Sequence, residues 1–329
     1  MRSDPADRND PDLVAAVRSA AGRLVAIDAA RGAMAALPAL RTAARRFPDP
    51  FAGSAAHRWD GDRLAALAEL YEVMGWVLFD AGRPRHAWRA NRRALALARL
   101  SGDRWTERLV LLNDSMLMSH LGRPRAALED AARVPGARRL PALVDSLVLI
   151  RRAHAVAALG GEREAVRLVS RAESRFLDGA SAYDPPWAWW IDHDEVLGHR
   201  GWVMARLGRW DEALPLLHRA STAPGPSYRR LFTAHLLAAL VRAGAWREAE
   251  RLADDLAPRA AGIGSARTLG TLRATATALL RGDGKPRPHC ARRPAGCGRR
   301  CPRPSYELPA GRSEERARSA EPAVAQCGP

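Results

Sequence analysis

Gly208-Arg209-Trp210-Asp211-Glu212-Ala213 and Gly244-Ala245-Trp246-Arg247-Glu248-Ala249 are two settings of one phrase. In both, a glycine is followed five residues later by an alanine, with Trp and Glu between them. The same pair recurs at Gly82/Ala87, Gly122/Ala127 and Gly160/Ala165, and successive glycines stand 40, 38, 48 and 36 residues apart. Apolar residues flank each glycine at intervals of three and four, as in Leu231, Ala234, Leu237, Ala238 and Val241 before Gly244. That spacing marks one face of a helix, so each phrase is a turn between two amphipathic helices. The glycine ends the first helix in the left-handed conformation, which a residue without Cβ adopts freely. Gly75 and Ala94 in the first copy, and Gly201 and Ala220 in the fourth, add small residues on either side of the turn. Small side chains there let neighbouring helices cross closely. Ser115, Ala153 and Leu237 hold the first of these positions in the second, third and fifth copies.

The 329 residues are 47% apolar and 27% charged, enough for a sizeable core. Such a composition excludes a wholly disordered chain and a disulfide-held mini-protein. No run of 18 apolar residues occurs, so no membrane span is expected. Met1-Arg2-Ser3-Asp4-Pro5 leads into no apolar stretch, so no secretory signal is expected either, and a cytoplasmic placement follows. The formal charge is +16, carried almost wholly by arginine, with Lys285 the only lysine. Arginine used beside much Ala, Gly and Pro fits a GC-rich coding sequence, without selection for a ligand. Arg89, Arg92 and Arg93 share a helix face and read as a solvated surface.

The period and the small residues resemble the tetratricopeptide repeat, whose unit is about 34 residues. Units of that length cover 68–101, 108–141, 146–179, 194–227 and 230–263, with the longest insertion at 180–193. The expected fold is all-α, a right-handed superhelical array of tetratricopeptide-like helix-turn-helix hairpins with a disordered C-terminal tail. Residues 1–10 are expected to be flexible, and 11–59 a degenerate leading hairpin and linker, interrupted at Pro38. The repeat domain occupies 60–281, and Ser265 to Arg281 forms a terminal helix capping the last hairpin. From Gly282 the apolar periodicity stops, and 282–329 reads as a disordered basic tail holding all four cysteines.

Chemistry-bearing groups are few. His289, Cys290, Cys297 and Cys301 lack the paired Cys-x2-Cys of zinc ribbons, and no metal or other cofactor is expected. Asp192-His193-Asp194-Glu195, with His199, is the densest set of candidate ligands, but acidic residues here suit the start of a helix. Pro185-Pro186-Trp187-Ala188-Trp189-Trp190 either plugs the gap opened by the insertion or forms an aromatic surface, and packing is the preferred reading. Gly262-Ile263-Gly264 lacks the remainder of a phosphate loop and reads as a turn. In a tetratricopeptide-like array, positions 2, 5, 9 and 12 of each unit face the concave groove. The groove candidates are Trp76, Phe79, Met116, His154 and Trp202, with Trp187, Trp189 and Trp190 as an aromatic patch. Lys and Asn at positions 5 and 9, which chaperone-binding members use to hold a C-terminal carboxylate, are absent.

The stretch from about Ala65 to Leu272 is similar to the C-terminal half of helix-turn-helix transcriptional regulators from GC-rich bacteria. Gly75-Trp76-Val77-Leu78-Phe79-Asp80-Ala81-Gly82-Arg83 and Leu121-Gly122-Arg123-Pro124-Arg125-Ala126-Ala127-Leu128 carry the likeness. Asp184-Pro185-Pro186-Trp187-Ala188-Trp189-Trp190 and Gly264-Ser265-Ala266-Arg267-Thr268-Leu269 extend it. The resemblance implies a sensor or dimerisation module, whereas 11–47 shows no recognition helix after a tight turn. The expected function is a non-catalytic scaffold that binds a peptide or protein segment in its concave groove, with self-association as a further mode. DNA contact is expected to be indirect. The runner-up is a DNA-binding regulator acting through its basic surface, and third is a metal-dependent enzyme at Asp192 to His199.

Overall fold

The computed structural model describes residues 12–47, 50–51, 59–136 and 139–281. The tail from Gly282, with its cysteines and His289, and residues 1–11 lie outside the described residues. Among the described residues the regular structure is entirely helical, with thirteen α-helices, three short 3-10 helices and no strand. None of these helices is long and apolar enough to cross a membrane.

The leading pair is α1 (Leu13–Arg31) and α2 (Ala33–Arg46). Then follow α3 (Gly61–Asp80), α4 (Pro84–Ser101), α5 (Arg104–His120), α6 (Pro124–Ala132), α7 (Ala142–Ala158) and α8 (Glu162–Leu177). After a 3-10 helix at Pro186–Trp190 come α9 (His193–Arg206) and α10 (Trp210–Thr222). Another at Ser227–Arg229 precedes α11 (Arg230–Ala243) and α12 (Trp246–Leu256). A last one at Ala257–Gly262 leads to α13 (Ala266–Leu280).

One expected break is misplaced. Pro38 lies inside α2, and the chain instead turns at Gly32, whose φ is 85°. Proline removes one N–H and crowds the carbonyl four residues back, here that of Met34 in the first helical turn. Burial of Ala36, Leu40 and Ala43 on one face of α2 offsets that local loss.

The five phrase glycines separate α3 from α4, α5 from α6, α7 from α8, α9 from α10 and α11 from α12, with φ between 70° and 82°. One hydrogen bond repeats in all five turns. The N–H after the glycine donates to a carbonyl five residues back: Arg83 to Leu78, Arg123 to Met118, Gly161 to Val156, Arg209 to Met204 and Ala245 to Leu240. This closure satisfies a carbonyl that the helix end would leave bare. Close crossings follow from the small residues. A Cβ on Gly75 would stand 1.9 Å from Oδ1 of Asn91 on α4, and one on Gly201 would stand 2.9 Å from Leu217 on α10. Where serine replaces that glycine, Ser115 Oγ donates to the Ala127 carbonyl at 2.7 Å.

Consecutive helices from α3 to α12 pack in chain order, and α3, α5, α7, α9 and α11 also touch in succession. The leading pair packs on α3, and α13 packs on α11. The two ends of the described chain then meet. Ser227 Oγ donates to the Asp28 carbonyl at 2.7 Å, and the Met34 N–H donates to the Gly264 carbonyl at 2.8 Å. Asp80, fully buried, accepts from Ser265 Oγ at 2.9 Å and from Arg267 Nε at 2.6 Å. Gly32 and Gly264 touch backbone to backbone, so a Cβ on Gly264 would stand 2.0 Å from the Arg31 carbonyl oxygen.

Candidate functional site

The meeting of the chain ends encloses two clefts that share Met116 and Arg151 in their walls. The first has about 870 Å³ free of protein atoms, part of it open to solvent, and the second about 740 Å³. All five groove candidates line them. Trp76 faces the first, Phe79, His154 and Trp202 the second, and Met116 both. The aromatic patch joins the first cleft as well. Trp187 donates through Nε1 to the Trp105 carbonyl at 3.3 Å, and Trp187 and Trp190 pack on the core, while Trp189 stays 65% exposed. The Trp stretch therefore packs two of its rings on the core and presents the third to solvent.

Trp76 is held by its neighbours. Its Nε1 donates to Asp28 Oδ2 at 3.1 Å, and Phe79 and Tyr228 meet its ring edge-on. The Arg267 guanidinium lies 4.9 Å from the Trp76 ring and 4.5 Å from Phe79, a cation–π arrangement fixed by its bond to Asp80. Trp202 stacks on His235 at 4.0 Å and meets His154 edge-on.

The polar groups of the first cleft come from five α-helices, Asn113 of α5 among them, and the 3-10 helix before α11. Asp28 of α1, Glu72 of α3, Arg151 of α7, Glu195 of α9 and Tyr228 line it together. Burial pushes the Asp28 carboxyl up to about 6, helped by nearby Asp80 and opposed by the Trp76 N–H. Glu72 is pushed up to about 8 by burial, against the Asn113 amide that donates to it at 2.7 Å. Arg151 is pushed down to about 9, again by burial. Several wall atoms find no hydrogen-bond partner: Asp28 Oδ1, Arg151 Nε and Nη1, Glu195 Oε2, Tyr228 Oη and, in the second cleft, His235 Nε2.

Asp192 caps α9, accepting from the Glu195 N–H at 2.9 Å, and it pairs with Arg229. His193 stacks on Phe176 beside Glu173, and Asp194 pairs with Arg219. Glu195 instead meets His199 Nε2 at 3.3 Å, and His199 Nδ1 lies 3.0 Å from His154 Nε2. Burial holds both imidazoles below their ordinary range. Glu195 and His199 thus pair with each other, while Asp192, His193 and Asp194 engage other residues. Among the described residues, no three His, Cys, Asp or Glu side chains are gathered for a metal. Of the basic cluster, Arg92 pairs with Asp114 at 2.6 Å, while Arg89 is exposed.

Sequence reasoning passed over Asp28, Asn113, Arg151, Tyr228 and His235. Their one signal was a polar residue in an apolar run, as with Arg151 after Leu147-Val148-Leu149-Ile150. No family model matches the chain, and no curated protein matches it.

Proposed function

We propose that the helical pairs form a right-handed, tetratricopeptide-like superhelical array, and that the chain is a non-catalytic binding module for a small organic ligand. The single observation supporting this reading is the set of buried, partnerless polar atoms around an aromatic cleft. Native interiors pair nearly all such atoms, and a ligand or ordered water is the usual reason for an exception. Asp28 and Tyr228 stand in the same cleft wall as Trp76, and a cleft of about 870 Å³ suits a compact molecule better than an extended peptide. The likeness to the sensor half of a regulator points the same way.

Tryptophan emission titrated with a library of small organic compounds tests the proposal. At least one compound is expected to shift the emission saturably, and the response to disappear in Trp76→Ala or Trp190→Ala protein of unchanged helicity. A library without any response, or one answered equally by both variants, would count against it.

A contact with a protein segment or a second copy is the alternative, favoured by an apolar groove lined by Leu237, Val241, Trp246, Leu256, Leu272 and Leu279. Leu279 in its wall is 42% exposed, and the following Leu280 is 89% exposed. Sedimentation velocity of wild type and Leu279→Glu checks self-association there. An identical, concentration-independent mass for both removes the second-copy form of that reading.

A further inference from the structure

We propose that the ligand of the paired clefts carries an anionic group, a carboxylate or a phosphate, held by Arg151 where the clefts meet. The inference rests on reading the clefts as a ligand site and adds the chemistry of the ligand.

Arg151 is 2% exposed, and its Nε and Nη1 have no hydrogen-bond partner. A buried guanidinium without a counter-charge is among the costliest arrangements a protein holds. Glu195 acts on Arg151 through space but makes no hydrogen bond or ion pair with it, and is met by His199 at 3.3 Å and by Arg229 at 3.8 Å. The other buried ionisable groups of the first cleft have a way out. Glu72, with a pKa of about 8, keeps its proton at neutral pH, and Asp28 accepts from the Trp76 indole. Arg151, still near 9, remains charged there.

The second cleft is the side on which an anion fits. Its wall carries Arg151, Arg206, Arg267 and three histidines, and no carboxylate side chain. Arg267 is committed to Asp80, and Arg206 lies exposed. His235 Nε2, buried and partnerless, donates in the tautomer that carries its proton. A planar guanidinium offers parallel N–H groups to two oxygens of a carboxylate or phosphate, which a neutral donor does not. The first cleft, with Asp28 and Glu195 in its wall, repels the same group. The anion therefore sits on the Arg151 and His235 side, and the apolar body of the ligand lies against Phe79, Met116 and Trp202.

Calorimetry on the full chain at fixed ionic strength, with benzoate, phenyl phosphate, inorganic phosphate, benzylamine and benzyl alcohol, tests this. Benzoate or phenyl phosphate is expected to bind about tenfold or more tightly than benzyl alcohol, the size of a charge-assisted hydrogen bond. Preference for benzoate assigns a carboxylate, and binding of phenyl phosphate together with inorganic phosphate assigns a phosphate. Arg151→Met is expected to abolish the preference, keep the benzyl alcohol affinity, and melt above wild type without ligand because the unpaired charge is gone. Should that variant fail to fold, Arg206→Ala, altered at an exposed position, is expected to weaken the anions and leave benzyl alcohol unchanged. Benzylamine binding more tightly than either anion, or anion affinity indifferent to both variants, overturns the inference. Benzyl alcohol binding with no gain for the anions overturns it too, while the pocket reading stands. Silence from every compound here and in the library overturns both.

Discussion

Glu72 shows how the interior sets the chemistry of one side chain. It is 8% exposed, and its carboxyl rises from 4.5 to about 8 because burial disfavours the charged form more than the Asn113 amide supports it. Below pH 4.5 the group is protonated in folded and unfolded chains alike and costs nothing. Between 4.5 and about 8 the unfolded chain has released the proton and the folded chain still holds it. Folding stability therefore falls as pH rises through that window, by at most about 1.4 kcal/mol per pH unit. Asp28 acts in the same direction between 3.8 and about 6. Between pH 7 and 8, above the range in which the buried histidines act in the opposite sense, urea midpoints are expected to decline in wild type and to decline less in Glu72→Gln. Parallel declines would show that Glu72 is not the group responsible.

At the scale of elements, each hairpin turn depends on one glycine in the left-handed region. Gly122 has φ 70° and open space where a Cβ would point, so Gly122→Ala carries only the conformational cost, about 1–2 kcal/mol. Gly82 has nearly the same φ, 73°, but its Cβ would stand 2.9 Å from the Ala266 Cβ at the start of α13. Gly82→Ala therefore has to move α13 as well, and overpacking adds about 1–3 kcal/mol. Thermal unfolding of the two variants is expected to rank Gly82→Ala as the less stable. Equal losses would mean that α13 does not rest on that turn.

For the whole molecule the decisive contact is the seam between residues 28–34, Asp80 and the segment 227–267. Asp80 and Arg267 form its buried ion pair, with side-chain exposures of 0% and 5%. Removing one member strands the other charge, so Asp80→Asn is expected to cost about 3–5 kcal/mol. The loss should be regional. Hydrogen exchange in α1, α2 and α13 is expected to quicken first, because the α1–α2 junction and the start of α13 form the seam. Adding Arg267→Met should recover part of the stability, since the stranded guanidinium disappears. Uniform acceleration across all helices, or no recovery in the double variant, would place the stabilisation elsewhere.

The sequence alone determined the helices and the five turns, because each is decided within a few residues of itself. A turn glycine's φ, the bond from Arg83 to Leu78 and the Ser265 cap are local events with local signatures. Proline at 38 misled for the same reason, since its local penalty was outweighed by the packing of α2. The groove candidates were legible through their register on the helices. What surrounds them was not: Asp28, Arg151 and Tyr228 come from α1, α7 and the approach to α11, with no spacing relating one to another. Only the tertiary structure, by bringing Gly264 against Gly32 and Arg267 onto Asp80, turned an open face into clefts with charged walls. Chain closure depends on the summed geometry of many helix crossings, and a small change at each accumulates into the meeting or parting of the ends.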